Sequence, residues 1–221
     1  MDKQLEKNEQ HTIINCTPKV SSTFNIQKLY GANTLSVGWN NGQDVSSYAQ
    51  NTPINYAFTT SDLLSSRIVI DQKTIGLQVN SATDNNQSAF VRNVQIGSNV
   101  KKIEPFCFST MPYLTAVHFA DGTEPLEIGE YSFANDIGLI SHLVLPKRTK
   151  VIRKGAFANC HNLKVVTIPD SIVKIERGAF YNCKNLQIIV VQCTRTLDFG
   201  KKFMEFINKD GRLFTNRGLD L

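Results

Sequence analysis

No run of about 18 or more apolar residues occurs in this 221-residue chain, so a helical membrane span is not expected. The first sixteen residues, MDKQLEKNEQHTIINC, are charged and polar and lack the apolar core of a secretory leader. The expectation is a protein that stays inside its cell, cytoplasmic or virion-associated, or a surface or secreted protein whose leader was trimmed. Cys-x-x-Cys pairs are missing, and five cysteines (Cys16, Cys107, Cys160, Cys183, Cys193) leave one over from any full pairing, so this is no small disulfide scaffold. Missing too are a Gly-rich phosphate loop, a Gly-x-Ser-x-Gly elbow and a His-Glu-x-x-His helix. An enzyme acting on glycans or phosphate esters therefore has no catalytic constellation to support it.

Charge is unevenly spread. Residues 1–90 carry 6 basic and 7 acidic side chains, net −1, whereas residues 91–221 carry 18 and 12, net +6. That excess favours anionic partners but is too weak by itself to imply nucleic acid.

What the chain does contain is an internal repeat. Ile103, Ile128, Ile152 and Ile175 are each followed five residues later by Phe108, Phe133, Phe157 and Phe180. Six further on stand Leu114, Leu139, Leu163 and Leu186, and all three columns advance by 25, 24 and 23 residues. After each leucine comes an alternating, β-branched stretch (LTAVHF, LISHLVL, LKVVTIP, LQIIVV), which predicts one short strand per unit. A single unit cannot bury its own apolar side. Stacked units form a common core of Ile, Phe and Leu ladders with the strands in a parallel sheet, which is a solenoid.

At these residues the chain resembles the BspA-like class of leucine-rich repeats, whose units run from a strand ending in Ile-Pro through Ser-Val-x-x-Ile to Ala-Phe-x-x-Cys-x-x-Leu. VTIPDSIVKIERGAFYNCKNL (166–186) follows that pattern almost throughout, and LVLPKRTKVIRKGAFANCHNL (143–163) follows it well. The two earlier units are looser: Met111 and Asp136 stand in the cysteine column, and the second carries two extra residues in its turn. The resemblance covers about residues 91–192. It implies a β-rich leucine-rich-repeat solenoid, with a parallel sheet on the concave side and loops or short helical turns on the convex side. It also implies surface or secreted proteins that adhere to host matrix or to other cells.

Outside the repeats, residues 1–65 read as a polar arm or small β-rich domain. IVIDQKTIGLQV (68–79) reads as a hairpin, within 66–90, that caps the open end. Residues 193–221 read as a C-terminal cap, with a short helix over KKFMEFINKDG (201–211) closed by Gly211.

Cys160 and Cys183 occupy equivalent positions in adjacent coils, a strand spacing of about 4.8 Å apart, which a disulfide can bridge. Because Met111 and Asp136 fill the same column, the position reads instead as a small core filler. His118 and His142 fall on adjacent strands, facing outward, but the next strand offers only Val165 and Thr167, so no metal site is expected. Glu124, Glu127 and Glu130 read as a solvated loop. Lys101, Lys102, Lys147, Arg148, Lys150 and Lys174 all follow strands and form a candidate edge for an anionic ligand. No aromatics interleave with the KRTKVIRK stretch, so nucleic acid is not an expected partner.

The concave strands carry the most information. Alternation points His118, His142, Val144, Val165, Thr167, Ile188 and Val190 outward, polar in the early units and apolar in the later ones. A contiguous apolar patch is an interaction surface unless the C-terminal or N-terminal segment folds over it. The expected function is a non-enzymatic module, without cofactor, that binds a host or surface protein through this face. The alternative is a structural or attachment subunit of a larger assembly, a virion or surface appendage, docked through residues 1–90; self-assembly stays open.

Overall fold

The computed structural model describes residues 10–17, 23–39, 44–57, 66–70, 76–79, 91–139, 141–192 and 212–215. Its ordered elements are all strands: β1 (Thr12–Cys16), β2 (Thr23–Ile26), β3 (Lys28–Tyr30), β4 (Thr34–Trp39), β5 (Asp44–Ala49), β6 (Ile54–Ala57), β7 (Ser66–Ile70), β8 (Gly76–Gln78), β9 (Val91–Ile96), β10 (Lys102–Ile103), β11 (Ala116–Phe119), β12 (Leu126–Ile128), β13 (His142–Val144), β14 (Thr149–Ile152), β15 (Val165–Ile168), β16 (Lys174–Ile175), β17 (Ile188–Val191) and β18 (Arg212–Thr215). No helix occurs among the described residues, and none there is long and apolar enough to cross a membrane. The helix expected over 201–211 lies outside the described residues.

The alternating segments after each leucine are extended, as their β-branched content requires. They form one side of a solenoid: β9 pairs with β11, and β13 with β15 and then β17, all parallel and in register. The opposite side, expected as loops or short helical turns, is a second parallel sheet. Here β8, β10, β12, β14 and β16 pair in order, so that Leu77, Ile103, Ile128, Ile152 and Ile175 lie on successive rungs.

Between the two sheets runs the aromatic ladder. Phe108, Phe133, Phe157 and Phe180 stack with ring centroids 5.4, 5.3 and 5.5 Å apart and are all buried. The turn carrying each ring is bonded to the next through main-chain contacts such as Phe133 N–H to Ala156 O (2.8 Å) and Phe157 N–H to Ala179 O (2.8 Å). Asn135, Asn159 and Asn182 explain the repeated asparagine. Each sits at positive φ (64°, 62° and 56°), which asparagine tolerates better than most residues, and their amides bond coil to coil at 2.7 Å.

The segment 68–79 is not a hairpin. β7 joins the long-strand sheet while β8 joins the short-strand sheet, so together they make another coil, with Leu77 on the same rung column as Ile103. The hairpin reading failed because this unit lacks the Phe and Leu that mark the others. A further strand intervenes on the long side: β1 lies antiparallel between β7 and β9, with Ile14 opposite Ile68 on one side and Val94 on the other. The coils of β7 and β9 are thus two strand spacings apart there, about 9.6 Å, against about 4.8 Å where β8 meets β10. Beyond β7 the sheet continues antiparallel through β4 and β5. Trp39 stacks on Tyr56 (4.4 Å, 4°) and meets Phe24 edge-on at 6.4 Å. Trp39 and Phe24 belong to the same buried cluster as Phe157, with Tyr56 packed against it, so one core includes residues from both sides of position 65.

The cysteine column is interior. Cys160 Sγ donates to Phe133 O (3.2 Å) and Cys183 Sγ to Phe157 O (3.1 Å), one coil back in each case. Neither thiol is in a disulfide, and the bond from Cys183 followed by burial holds the Cys160 pKa well above the ordinary thiol value, the opposite of an activated nucleophile. Asp136 is wholly buried in this column. Its Oδ1 accepts from Met111 N–H (2.7 Å), while Oδ2 is buried with no partner. Burial lifts this carboxyl well above the usual range, the Met111 bond pulling the other way.

Two outcomes follow from this packing. Ile14→Ala should cost about 2–5 kcal/mol and Phe157→Ala about 3–5 kcal/mol in urea denaturation. A loss below about 1 kcal/mol at Ile14 would show that β1 is dispensable to the coils. Because the folded-state pKa of Asp136 stands above its unfolded one, its penalty is absent below about pH 4 and grows as pH rises. Asp136→Cys, which supplies a thiol that can donate to the coil behind, should therefore stabilise by about 1–3 kcal/mol at pH 7 and by much less at pH 4. Equal gains at both pH values would contradict a carboxyl whose pKa is raised by burial.

Candidate functional site

The alternation of the long strands places their side chains as expected, with one exception. Across β13, β15 and β17 the register aligns His142 with Val165 and Ile188, and Val144 with Thr167 and Val190. Val144 is 56% exposed, and Val165, Ile188 and Val190 are half-buried at the surface, while the intervening Leu143, Val166 and Ile189 are buried. The exception is Thr167, which is only 8% exposed because the exposed His142 imidazole lies against it, Nε2 to Oγ1 3.0 Å. The face is therefore aliphatic with a histidine rim. At its far edge the main chain of β18 pairs in parallel with β17, Ile188 opposite Arg212 through Val191 opposite Thr215. Residues 212–215 thus extend this sheet sideways.

His118 and His142 are not brought onto one sheet. β11 and β13 belong to separate sheets, so the long-strand side is divided into a polar block and an apolar block. Among the described residues no three His, Cys, Asp or Glu side chains gather as a metal site would require.

The division coincides with Arg148. This residue was expected on an exposed anion-binding edge, but its side chain is buried. Its guanidinium donates to the carbonyls of Gly97 (2.9 Å), Val100 (2.5 Å), Ala120 (3.0 Å) and Glu124 (3.4 Å). The two-residue insertion after β11 presents carbonyls here, and a five-donor fork suits such a cluster. Burial lowers the Arg148 pKa to about 10, with Asp121 acting in the other direction. It is a structural cation rather than an edge residue.

Most of the remaining edge is internally neutralised. Lys101 pairs with Glu124 (2.8 Å), Lys102 with Glu104 (3.0 Å) and Lys174 with Glu176 (2.9 Å). Arg153 bridges three coils by binding Glu127 and Glu176, both at 2.9 Å, and these bonds raise its pKa. Of the six candidate residues, the buried Arg148 binds carbonyls alone, and the exposed Lys147 and Lys150 form no ion pair among the described residues. The acidic cluster at Glu124 and Glu127, expected to be a solvated loop, supplies two of these five ion pairs.

Comparison with known proteins places the repeat in context. A search of the curated proteins finds no match. Among solved structures, a leucine rich cell surface protein from Faecalibacterium prausnitzii A2-165 is similar at 19% identity and a TM-score of 0.44. The alignment covers 63% of this chain and 38% of that one. The family described as BspA type leucine rich repeat region matches in six copies over residues 85–198, more than half of the 221 residues. With the period, the ladders and the GAF-x-N-C turns all in place, the chain belongs to the BspA-type leucine-rich-repeat family.

Proposed function

We propose that this chain is a non-enzymatic binding module that recognises a protein partner at a cell surface through the outer face of β13, β15 and β17. The observation that carries this reading is the aligned aliphatic set of Val144, Val165, Ile188 and Val190. A solvated β-face has no need of four β-branched apolar residues in register across three strands, whereas a protein interface does. Family membership supports the surface setting. The alternative of docking through residues 1–90 gains no favouring observation, because β1, β7 and β8 already pair with the repeat coils.

The expected result is saturable binding of the full chain to at least one protein in a panel of immobilised extracellular-matrix proteins. Val144→Glu with Val190→Glu should weaken that binding more than about tenfold while the thermal midpoint moves by no more than about 4 °C. Unchanged affinity would place the partner elsewhere, and loss of folding would show that the face is covered within the molecule.

A further inference from the structure

The aromatic stacking that fills the core has a second, outer copy that stops short. Phe106 and Tyr131 occupy equivalent turn positions at φ 60° and 51°, and their rings stack 5.4 Å apart at 14°. In the next two coils the same position is Gly155 (φ 62°) and Gly178 (φ 68°). The backbone there does not demand glycine, since Phe and Tyr adopt the same conformation two coils earlier. What the glycines provide is space. The Tyr131 ring leans into the first gap, so that a Cβ on Gly155 would lie 2.2 Å from it. A Cβ on Gly178 would meet nothing closer than Tyr181 Cβ at 3.5 Å.

The result is a hollow of about 400 Å³ lined by Tyr131 and Tyr181, the two glycines, and Lys154 and Arg177, which immediately precede those glycines. Tyr181 is 57% exposed. Lys154 Nζ lies 5.8 Å from the centre of the Tyr131 ring. The nearby Glu176 carboxylate is already bound to Arg153 and Lys174. Two aromatic side chains, a glycine surface between them and two cations are thus gathered at a missing rung of a ring ladder.

We propose that this hollow binds one ring of an acidic saccharide, a uronate- or sulfate-bearing glycan. A sugar ring presents its C–H face to Tyr131 as the next rung would, and its acid group meets Lys154 and Arg177. The volume lies within the range of small-ligand pockets. A bare inorganic anion would leave the tyrosines and glycines unused. A nucleic-acid strand needs a continuing row of phosphate contacts, and Lys101, Lys102 and Lys174 are engaged by Glu124, Glu104 and Glu176. The site lies apart from the proposed protein-binding face and does not depend on it.

Calorimetric titration of the full chain with heparin hexasaccharide, hyaluronan hexasaccharide, neutral maltohexaose and hexathymidylate tests the assignment. At least one acidic hexasaccharide should bind saturably, and the neutral sugar and the oligonucleotide should not. Lys154→Ala with Arg177→Ala should lower the affinity at least tenfold, whereas Lys147→Ala with Lys150→Ala, which removes two exposed cations elsewhere, should leave it within twofold. Gly178→Tyr, which extends the ladder into the hollow without removing charge, should also lower it at least tenfold; if that variant does not fold, the exposed Tyr181→Ala replaces it. The proposal is overturned if no acidic hexasaccharide binds, or if hexathymidylate binds as tightly. Equal losses from the two cation pairs, or full affinity in the variant that fills or opens the hollow, would also overturn it.

Discussion

Face-to-face stacking of one phenylalanine per coil is the constraint around which this molecule is organised. Rings at 5.3–5.5 Å must repeat at the spacing set by main-chain bonds between coils, so every turn that carries a ring has to adopt the same backbone path. That requirement fixes two columns at positive φ, one holding Phe106, Tyr131, Gly155 and Gly178, the other Thr110, Asn135, Asn159 and Asn182. It also decides where irregularity is allowed. The repeat length varies from 25 to 23 residues, yet the Ile and Phe columns never lose step. Two extra residues lie in the loop after β11 and one between Leu139 and β13, and the long-strand sheet is divided between β11 and β13 while the short-strand sheet stays continuous.

Arg148 follows from the same economy of position. Where the insertion parts the long strands, four carbonyls from two preceding coils converge on one guanidinium. Leaving buried carbonyls without donors costs on the order of 1–3 kcal/mol each, and one guanidinium supplies donors to all four. Asp136 shows the column's tolerance from the other direction. The position is filled by a buried carboxyl rather than a thiol, and the ring stack above and below it is undisturbed.

These details bear on what the sequence can reveal. Ladders were legible because they depend on side-chain identity at fixed intervals, and so was the outward set Val144, Val165, Ile188 and Val190. The coil of β7 and β8 was not, because Leu77 is its sole rung matching a column and its long strand is separated from the next by β1. TIINC reads as any short strand; its insertion depends on residues fifty or more positions away. Thr167 and Arg148 were misplaced because polar side chains read as surface, and only three-dimensional neighbours, His142 in one case and four carbonyls in the other, bury them. The hollow did leave a trace, the change from Phe and Tyr to Gly and Gly in one column, visible once that column is aligned beside the Ile, Phe and Leu columns.

Charge illustrates how far composition and available surface can diverge. The +6 of residues 91–221 suggests a basic edge, yet Lys101, Lys102, Arg153 and Lys174 are engaged by glutamates of their own or neighbouring coils. Exposed pairs of this kind contribute only about 0–1 kcal/mol each to stability. Their larger effect is on recognition, since a lysine already facing a carboxylate attracts an anion weakly. The paired short-strand edge therefore differs in chemistry from the two surfaces proposed as binding sites, the aliphatic face of β13, β15 and β17 and the hollow lined by Tyr131, Tyr181, Lys154 and Arg177. One repeated backbone thus carries surfaces of different chemistry, because the ladders fix only the inward side chains and leave each outward column free to diverge.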